Sequence, residues 1–153
     1  MMENRNLVRG AGVLMAISSL PSAYGIGTLG TEAFNFIDML VDLKQRYWQI
    51  LPIGPTSFGN SPYQPISGFA GNNYLIDLDS LVADKLLSLE EIRQFEWGDN
   101  LSDIDYASMY NNRNKVLRIA FDRFDTEDKE YIAFVEKNSY WIYDYALFCV
   151  LKD

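Results

Sequence analysis

Two apolar runs flank a stretch of helical period, and no other feature of this chain constrains its fold as much. Residues 12–18, Gly-Val-Leu-Met-Ala-Ile-Ser, are continuously apolar between turn residues. Such a run predicts a strand buried on both faces, as in parallel sheets. Residues 31–46 then place Ala33, Phe36, Ile37, Leu40 and Val41 on one helical face, with Asp38, Asp42 and Gln45 off it. Glu32 in the first turn, and Lys44 with Arg46 in the last, complement the helix dipole. Residues 47–53 are apolar and β-prone again. Strand, helix, strand predicts a parallel βαβ unit with a right-handed crossover, and so an α/β class.

Residues 55–73 are rich in Gly, Pro, Ser and Asn, with aromatic residues set among them. A loop of that length is uncommon unless it is functional. Residues 74–78 alternate well enough to predict a short strand. Asp77 and Asp79 read as polar strand-end residues, because no Gly or Glu follows them at calcium-loop spacing. From Ser80 onward the pattern is mainly helical. Ser88-Leu-Glu-Glu91 is a capping box opening a helix with Ile92 and Phe95 inward. Asp105 caps the next, with Met109, Val116, Ala120 and Phe124 at helical intervals. Thr126 opens another, and Ser139 caps a last one over residues 140–151. Trp141, Ile142, Tyr145, Leu147, Phe148 and Val150 leave that last helix little polar face, which predicts burial in the middle of a protein.

Composition closes off several function classes. The 153 residues are 48% hydrophobic and 22% charged, an ordinary globular balance. A net charge of −8 with 13 scattered basic residues argues against nucleic acid as a partner. No His is present, so Ser-His and Cys-His catalysis within the chain is excluded, as are zinc sites built on His. Cys149 is the single cysteine, which favours a reducing compartment and leaves no thiolate metal cage. No run reaches membrane-spanning length, and residues 13–17 are too short for a signal-peptide core. These features place the protein in the cytoplasm. Asn100-Leu-Ser102 then reads as ordinary loop rather than a glycosylation site.

In a parallel βαβ unit the loops after both strands open on one face, where α/β folds hold ligands. Here these are residues 18–27 and 55–64. Tyr63 and Phe58 offer flat apolar surfaces to the C–H face of a sugar ring. Asn60, Ser61, Gln64 and Asn72 donate and accept hydrogen bonds with hydroxyls. Pro62 restricts the backbone beside Tyr63. The plainer reading is that these aromatic residues pack the loop down. Gly25-Ile-Gly27 has neither dinucleotide nor P-loop spacing. Glu90 with Glu91 sits at a helix start and Asp103 with Asp105 at a cap, so no facing carboxylate pair of the glycosidase kind is legible.

The same loops carry a family resemblance. Ser19-Leu-Pro-Ser-Ala-Tyr-Gly-Ile-Gly-Thr-Leu-Gly30, Gln45-Arg-Tyr-Trp-Gln-Ile-Leu-Pro-Ile-Gly-Pro-Thr56, Asn60-Ser-Pro-Tyr-Gln64 with Ser67-Gly-Phe-Ala-Gly-Asn72, and Trp141-Ile-Tyr-Asp-Tyr-Ala-Leu-Phe148 follow one another along the chain. In that order they resemble the 4-α-glucanotransferases, glycoside hydrolase family seventy-seven. The resemblance implies the N-terminal part of a (β/α)8 TIM barrel with a mainly helical inserted subdomain. Residues 1–79 would hold the first strands and ligand-face loops, and residues 80–153 the insertion and connecting helices. It implies transfer of α-1,4-glucan segments between maltooligosaccharides with retention of anomeric configuration through a covalent glycosyl-enzyme intermediate, without cofactor or metal. Tyr63 matches the tyrosine of the Ser-Pro-Tyr-Gln motif, which lines the site at the ring that becomes attached. Phe58 takes the place of an earlier loop aromatic associated with glucan contact, keeping the stacking surface without a hydroxyl.

The family's Asp nucleophile, Glu acid/base and stabilising Asp come from later strands, so no catalytic residue is expected in this chain. The expectation is a catalytically incomplete portion that alone leaves strand edges and its last helix exposed, and is poorly packed or self-associates. Two other readings stand beside it. One is a non-catalytic glucan-binding module. The other is a small helical interaction protein joined through residues 141–151.

Overall fold

Parallel pairing of two three-residue strands, β1 (Gly12–Leu14) and β2 (Tyr47–Gln49), sets the frame, with Val13 opposite Trp48. The computed structural model describes residues 9–57, 59–100 and 102–152. The rungs Arg46 N–H to Ala11 O (2.9 Å) and Met15 N–H to Gln49 O (3.0 Å) bracket the pair. Between the strands runs α1 (Thr31–Asp42), so the βαβ unit is present. Both strands are shorter than the apolar runs that predict them. After Leu14 the chain turns into a 3-10 segment, Ile17–Ser19, and after Gln49 it leaves the ladder. Nor are the strands buried on both faces: Leu14 is 59% exposed, and the sheet holds two strands among the described residues.

Helix α1 buries Ala33 and Leu40 and half-buries Phe36, whose ring lies 4.9 Å from that of Trp48. Ile37 and Val41, expected on the same face, stay exposed. The expected basic last turn is also absent. The helix stops at Asp42, and Lys44 takes a left-handed φ of 56° just beyond it. Ile17, Leu20, Ala33 and Leu75 form the core beneath this unit. Trp48 donates its indole N–H to Met15 O at 2.8 Å, which satisfies a half-buried donor and ties the two strand ends.

The strand expected over residues 74–78 is a correction. The chain forms a 3-10 turn, Asn73–Leu75, and then α2 (Leu78–Ala83). Side-chain caps explain the change. Asn72 Oδ1 accepts the Tyr74 N–H at 2.9 Å, and Asp77 Oδ2 accepts the Ser80 N–H at 2.9 Å. Local side-chain acceptors of this kind compete with ladder pairing. Asp77 is therefore an N-cap and Asp79 a first-turn residue, not strand ends.

The second core joins α2 to α3 (Leu89–Ile92) and α4 (Tyr106–Phe121) through Leu78, Leu87, Ile92, Val116 and Ala120. The Ser88 capping box and the Asp105 cap are both present, and Phe95 packs on this core. Arg123, just after α4, forms an ion pair with Glu91 of α3. That pair, then the Ser88 N–H, holds the Glu91 carboxyl near 2, below its ordinary 4.5. A depressed folded-state value stabilises above 4.5, and that stabilisation is lost as pH falls toward 2. The urea midpoint of Glu91→Gln should thus lie below wild type near neutrality and converge with it at the acid end.

α5 (Lys129–Lys137) begins two residues later than expected. Asp128, not Thr126, caps it by accepting the Glu130 and Tyr131 N–H groups. In α6 (Ser139–Lys152), Ser139 is already helical. The Trp141 and Ile142 N–H groups donate to Asn138 O instead. The apolar composition of α6 predicts burial, yet none of its residues is buried and Leu151 is 78% exposed.

Candidate functional site

The two loops that follow the strands meet over one cavity. Its volume is about 120 Å3, and Ala16, Ile17 and Ser18 line it from behind β1. Leu51, Pro52, Ile53, Thr56, Asn60, Pro62 and Asn72 line it from behind β2. The long loop is closed at its base, where Asn72 N–H reaches Ile53 O at 2.7 Å and Ile66 N–H reaches Pro55 O at 3.1 Å. Asn60 holds a left-handed φ of 53°, which Asn tolerates better than most residues, and its N–H donates to Ser57 O. Farther out, the ring of Phe69 stacks on Trp141 of α6 at 5.8 Å and meets Tyr140 edge-on at 5.5 Å. The last helix thus braces the side of the loop.

The sequence-expected residues divide into two sets. Asn60 and Asn72 line the cavity. Ser61 stays in the turn next to it, its Oγ 3.4 Å from the Tyr63 N–H it accepts. Tyr63 and Gln64 stand outside the lining, and Tyr63 is 70% exposed with its ring presented to solvent. Phe58 lies outside the described residues. Tyr106 completes the wall from the first turn of α4, and nothing in its helical context marked it. Burial raises the pKa of both Tyr106 and Tyr74 above the ordinary phenol value. Both hydroxyls therefore stay protonated at neutral pH.

The glycine-rich segment before α1 locks the β1 loop onto the helical part. Gly25 has a φ of +78°, and a Cβ there would lie 2.3 Å from Trp97 O. A Cβ on Gly27 would lie 2.1 Å from Ile17 O and 2.7 Å from Leu20 N. Gly27→Ala should therefore push the loop off the Ile17–Ser19 turn. The expected loss is about 1–3 kcal/mol, read as a lowered thermal midpoint. Between the glycines, buried Thr28 donates its hydroxyl to Asp77 Oδ1 at 2.7 Å. Tyr24 donates its own to Asp79 at 2.6 Å and sets its ring edge-on to Trp97. Burial, followed by the Asp79 hydrogen bond, pushes the Tyr24 phenol up to about 12.

Asp77 anchors the arrangement. Burial would raise its carboxyl pKa, but hydrogen bonds from Thr28 and Ser80 and the charge of Arg113 outweigh this and hold it low. Arg113 is fully buried. It donates from Nη2 to the carbonyls of Tyr74 (3.1 Å) and Ile76, and it lies 5.8 Å over the Trp97 ring. Burial pulls its guanidinium down to about 10, leaving it charged at neutral pH. Its place on α4, between Met109 and Val116, puts it on the apolar face, a position the sequence reading passed over. No carboxylate lines the cavity, and no cluster of three or more possible metal ligands occurs among the described residues.

The family model described as 4-alpha-glucanotransferase matches residues 15–153. The chain belongs to the 4-alpha-glucanotransferase family. A 4-alpha-glucanotransferase of Streptococcus pneumoniae is 47% identical over 147 residues, covering 95% of this chain and 29% of the relative. One from Thermus thermophilus is 42% identical over 151 residues, again 95% of this chain and 29% of the relative. Among solved structures, the amylomaltase of Streptococcus agalactiae in complex with acarbose superposes with a TM-score of 0.86 at 39% identity. That match covers 95% of this chain and 30% of the amylomaltase. The chain therefore spans under a third of the length of these family members, and the shared region contains both loops around the cavity.

Proposed function

We propose that this chain provides the glucan-binding loop face of a 4-alpha-glucanotransferase, which moves α-1,4-glucan segments between maltooligosaccharides with retention. In this reading residues 1–79 supply the first strands and loops of a (β/α)8 barrel, and residues 80–153 form the helical insertion bracing them. The convergence of both post-strand loops on one cavity carries the reading. Asn60, Ser61, Gln64 and Asn72 would meet sugar hydroxyls, and Tyr63 and Phe58 would stack on the rings. The carboxylates that exchange the glycosidic bond are assigned to the two-thirds of the family sequence that this chain does not span. Among the described residues no helix is long and apolar enough to cross a membrane, and the reading places the protein in the cytoplasm.

The test uses two proteins: this chain alone, and this chain fused to the remaining part of the S. agalactiae amylomaltase. Maltotriose should be disproportionated to glucose and longer oligosaccharides by the fusion and left intact by the chain alone. Turnover by the chain alone would place the chemistry within these residues. A folded fusion that releases no glucose would reject the reading.

A further inference from the structure

We propose that Thr28 is a positioning residue for saccharide binding: acting through Ile26, its hydrogen bond to Asp77 sets the β1-side wall of the cavity. This rests on the function proposed above. Neither Thr28 nor Asp77 is among the residues lining the cavity, whereas buried Ile26, two residues before Thr28, is one of them. The segment around Ile26 is held on both sides. Gly27 N–H donates to Ser18 O at 3.0 Å, and Leu29 N–H donates to Leu75 O at 2.9 Å, and both acceptors belong to wall residues. Between these two rungs the Thr28 hydroxyl reaches Asp77 Oδ1 at 2.7 Å. Two residues before Ile26, Tyr24 reaches Asp79 at 2.6 Å. Ile26 is thus bracketed by two side-chain bonds onto the start of α2.

The two bonds are unequal. The Tyr24–Asp79 bond is exposed, so water replaces it at little cost. Thr28 is buried, and a Cβ on Gly30 would lie 2.2 Å from Asp77 Cγ, so the loop packs closely over the same carboxyl group. A donor lost from such a place is replaced poorly. The acceptor is also anchored, so a bond to it fixes position. Asp77 Oδ2 caps α2 through the Ser80 N–H, and the charge of Arg113 favours the carboxylate. Arg113 in turn donates to the carbonyls of Tyr74 and Ile76, on either side of the wall residue Leu75. It lies about two turns along α4 from Tyr106, on the same helical face. Thr28, Asp77 and Arg113 therefore connect Ile26 on one wall of the cavity to Leu75 and Tyr106 on another.

The experiment measures acarbose binding by calorimetry and maltotriose kinetics for the fused protein carrying Thr28→Val or Thr28→Ser. Valine keeps the shape and loses the hydroxyl, whereas serine keeps the hydroxyl and loses the methyl group. Thr28→Val should raise the acarbose Kd and the maltotriose KM about three- to tenfold, with kcat within about twofold of wild type. Thr28→Ser should bind acarbose within about twofold of wild type, even where its thermal midpoint is lower. A role in stability alone would lower the midpoint and leave Kd unmoved at temperatures well below it. Should Thr28→Val fail to fold, Asp77→Ser reads the same loss, because serine still caps α2 and is too short to hold Thr28 as well. A folded variant without the bond that binds acarbose as wild type does would overturn the proposal, and so would valine and serine variants impaired alike. A wild-type fusion that binds acarbose and leaves maltotriose intact rejects the proposed activity, and the Kd series still decides the role of Thr28. An active fusion in which Thr28→Val equals wild type does the reverse. A fusion that neither binds acarbose nor turns over maltotriose overturns both.

Discussion

Arg113→Ala should be among the most destabilising substitutions in the chain, at about 3–5 kcal/mol. The side chain is fully buried and ties α4 to the Asn73–Leu75 turn through two backbone carbonyls. Its removal leaves those carbonyls without their donor, strips Asp77 of a nearby positive charge, and opens a cavity beneath Trp97. Arg113→Met should lose less, because it refills the volume while giving up the hydrogen bonds. Nε and Nη1 have no hydrogen-bond partner among the described residues, so the native arrangement already carries a desolvation penalty that Met would relieve. Urea unfolding of the two variants beside wild type checks the order. If Arg113→Ala matches wild type, the buried guanidinium contributes nothing net and the account of the α4 junction fails.

Tyr63→Ala should lower kcat/KM for maltotriose in the fused protein by about ten- to a hundredfold. That corresponds to about 1.4–2.7 kcal/mol of stacking lost in the transition state. Fold stability should be nearly unchanged, because Tyr63 is 70% exposed and its ring supports no core. The separation of the two effects makes the prediction sharp. A surface aromatic without a ligand role would leave both quantities alone, and a packing residue would move the melting temperature. Tyr63→Phe should retain most of the activity if stacking is the role, whereas a loss equal to that of alanine would assign the function to the hydroxyl.

Much of the helical half was legible because its signals are local. The Ser88 box, the Asp105 cap and the 109–116–120 spacing each depend on residues within one or two turns of one another, and each is present. The errors arose where local readings compete. Residues 74–78 alternate like a strand, but Asn72 and Asp77 offer their side chains to nearby N–H groups, and two capped turns win. Thr126 and Asp128 are both capping residues, and the chain uses the second. α6 reads as a buried helix by composition, yet its neighbours among the described residues are α5 and the Phe69 loop, and its outer face remains in solvent.

At the site, two of the four polar residues read from the loops reach the cavity wall, because turn-rich loops after parallel strands converge. Asn60 and Asn72 lie where that logic puts them. Tyr106 was missed because it sits in a helical first turn far along the chain, and only the packing of α4 against the loops brings it to the wall. Arg113 was missed because a charged residue at an apolar helical position reads as a break in the pattern. Here it donates to the backbone carbonyls of Tyr74 and Ile76 and so ties α4 to the turn before α2.

The central claim is that this chain presents a sugar-binding face. A crystal structure of the fused protein soaked with acarbose tests it most directly. The account predicts the Tyr63 ring in van der Waals contact, within about 4–4.5 Å, of a glycosyl ring, with Asn60 or Asn72 hydrogen-bonded to its hydroxyls. Acarbose bound with Tyr63 and both asparagines out of contact would contradict it.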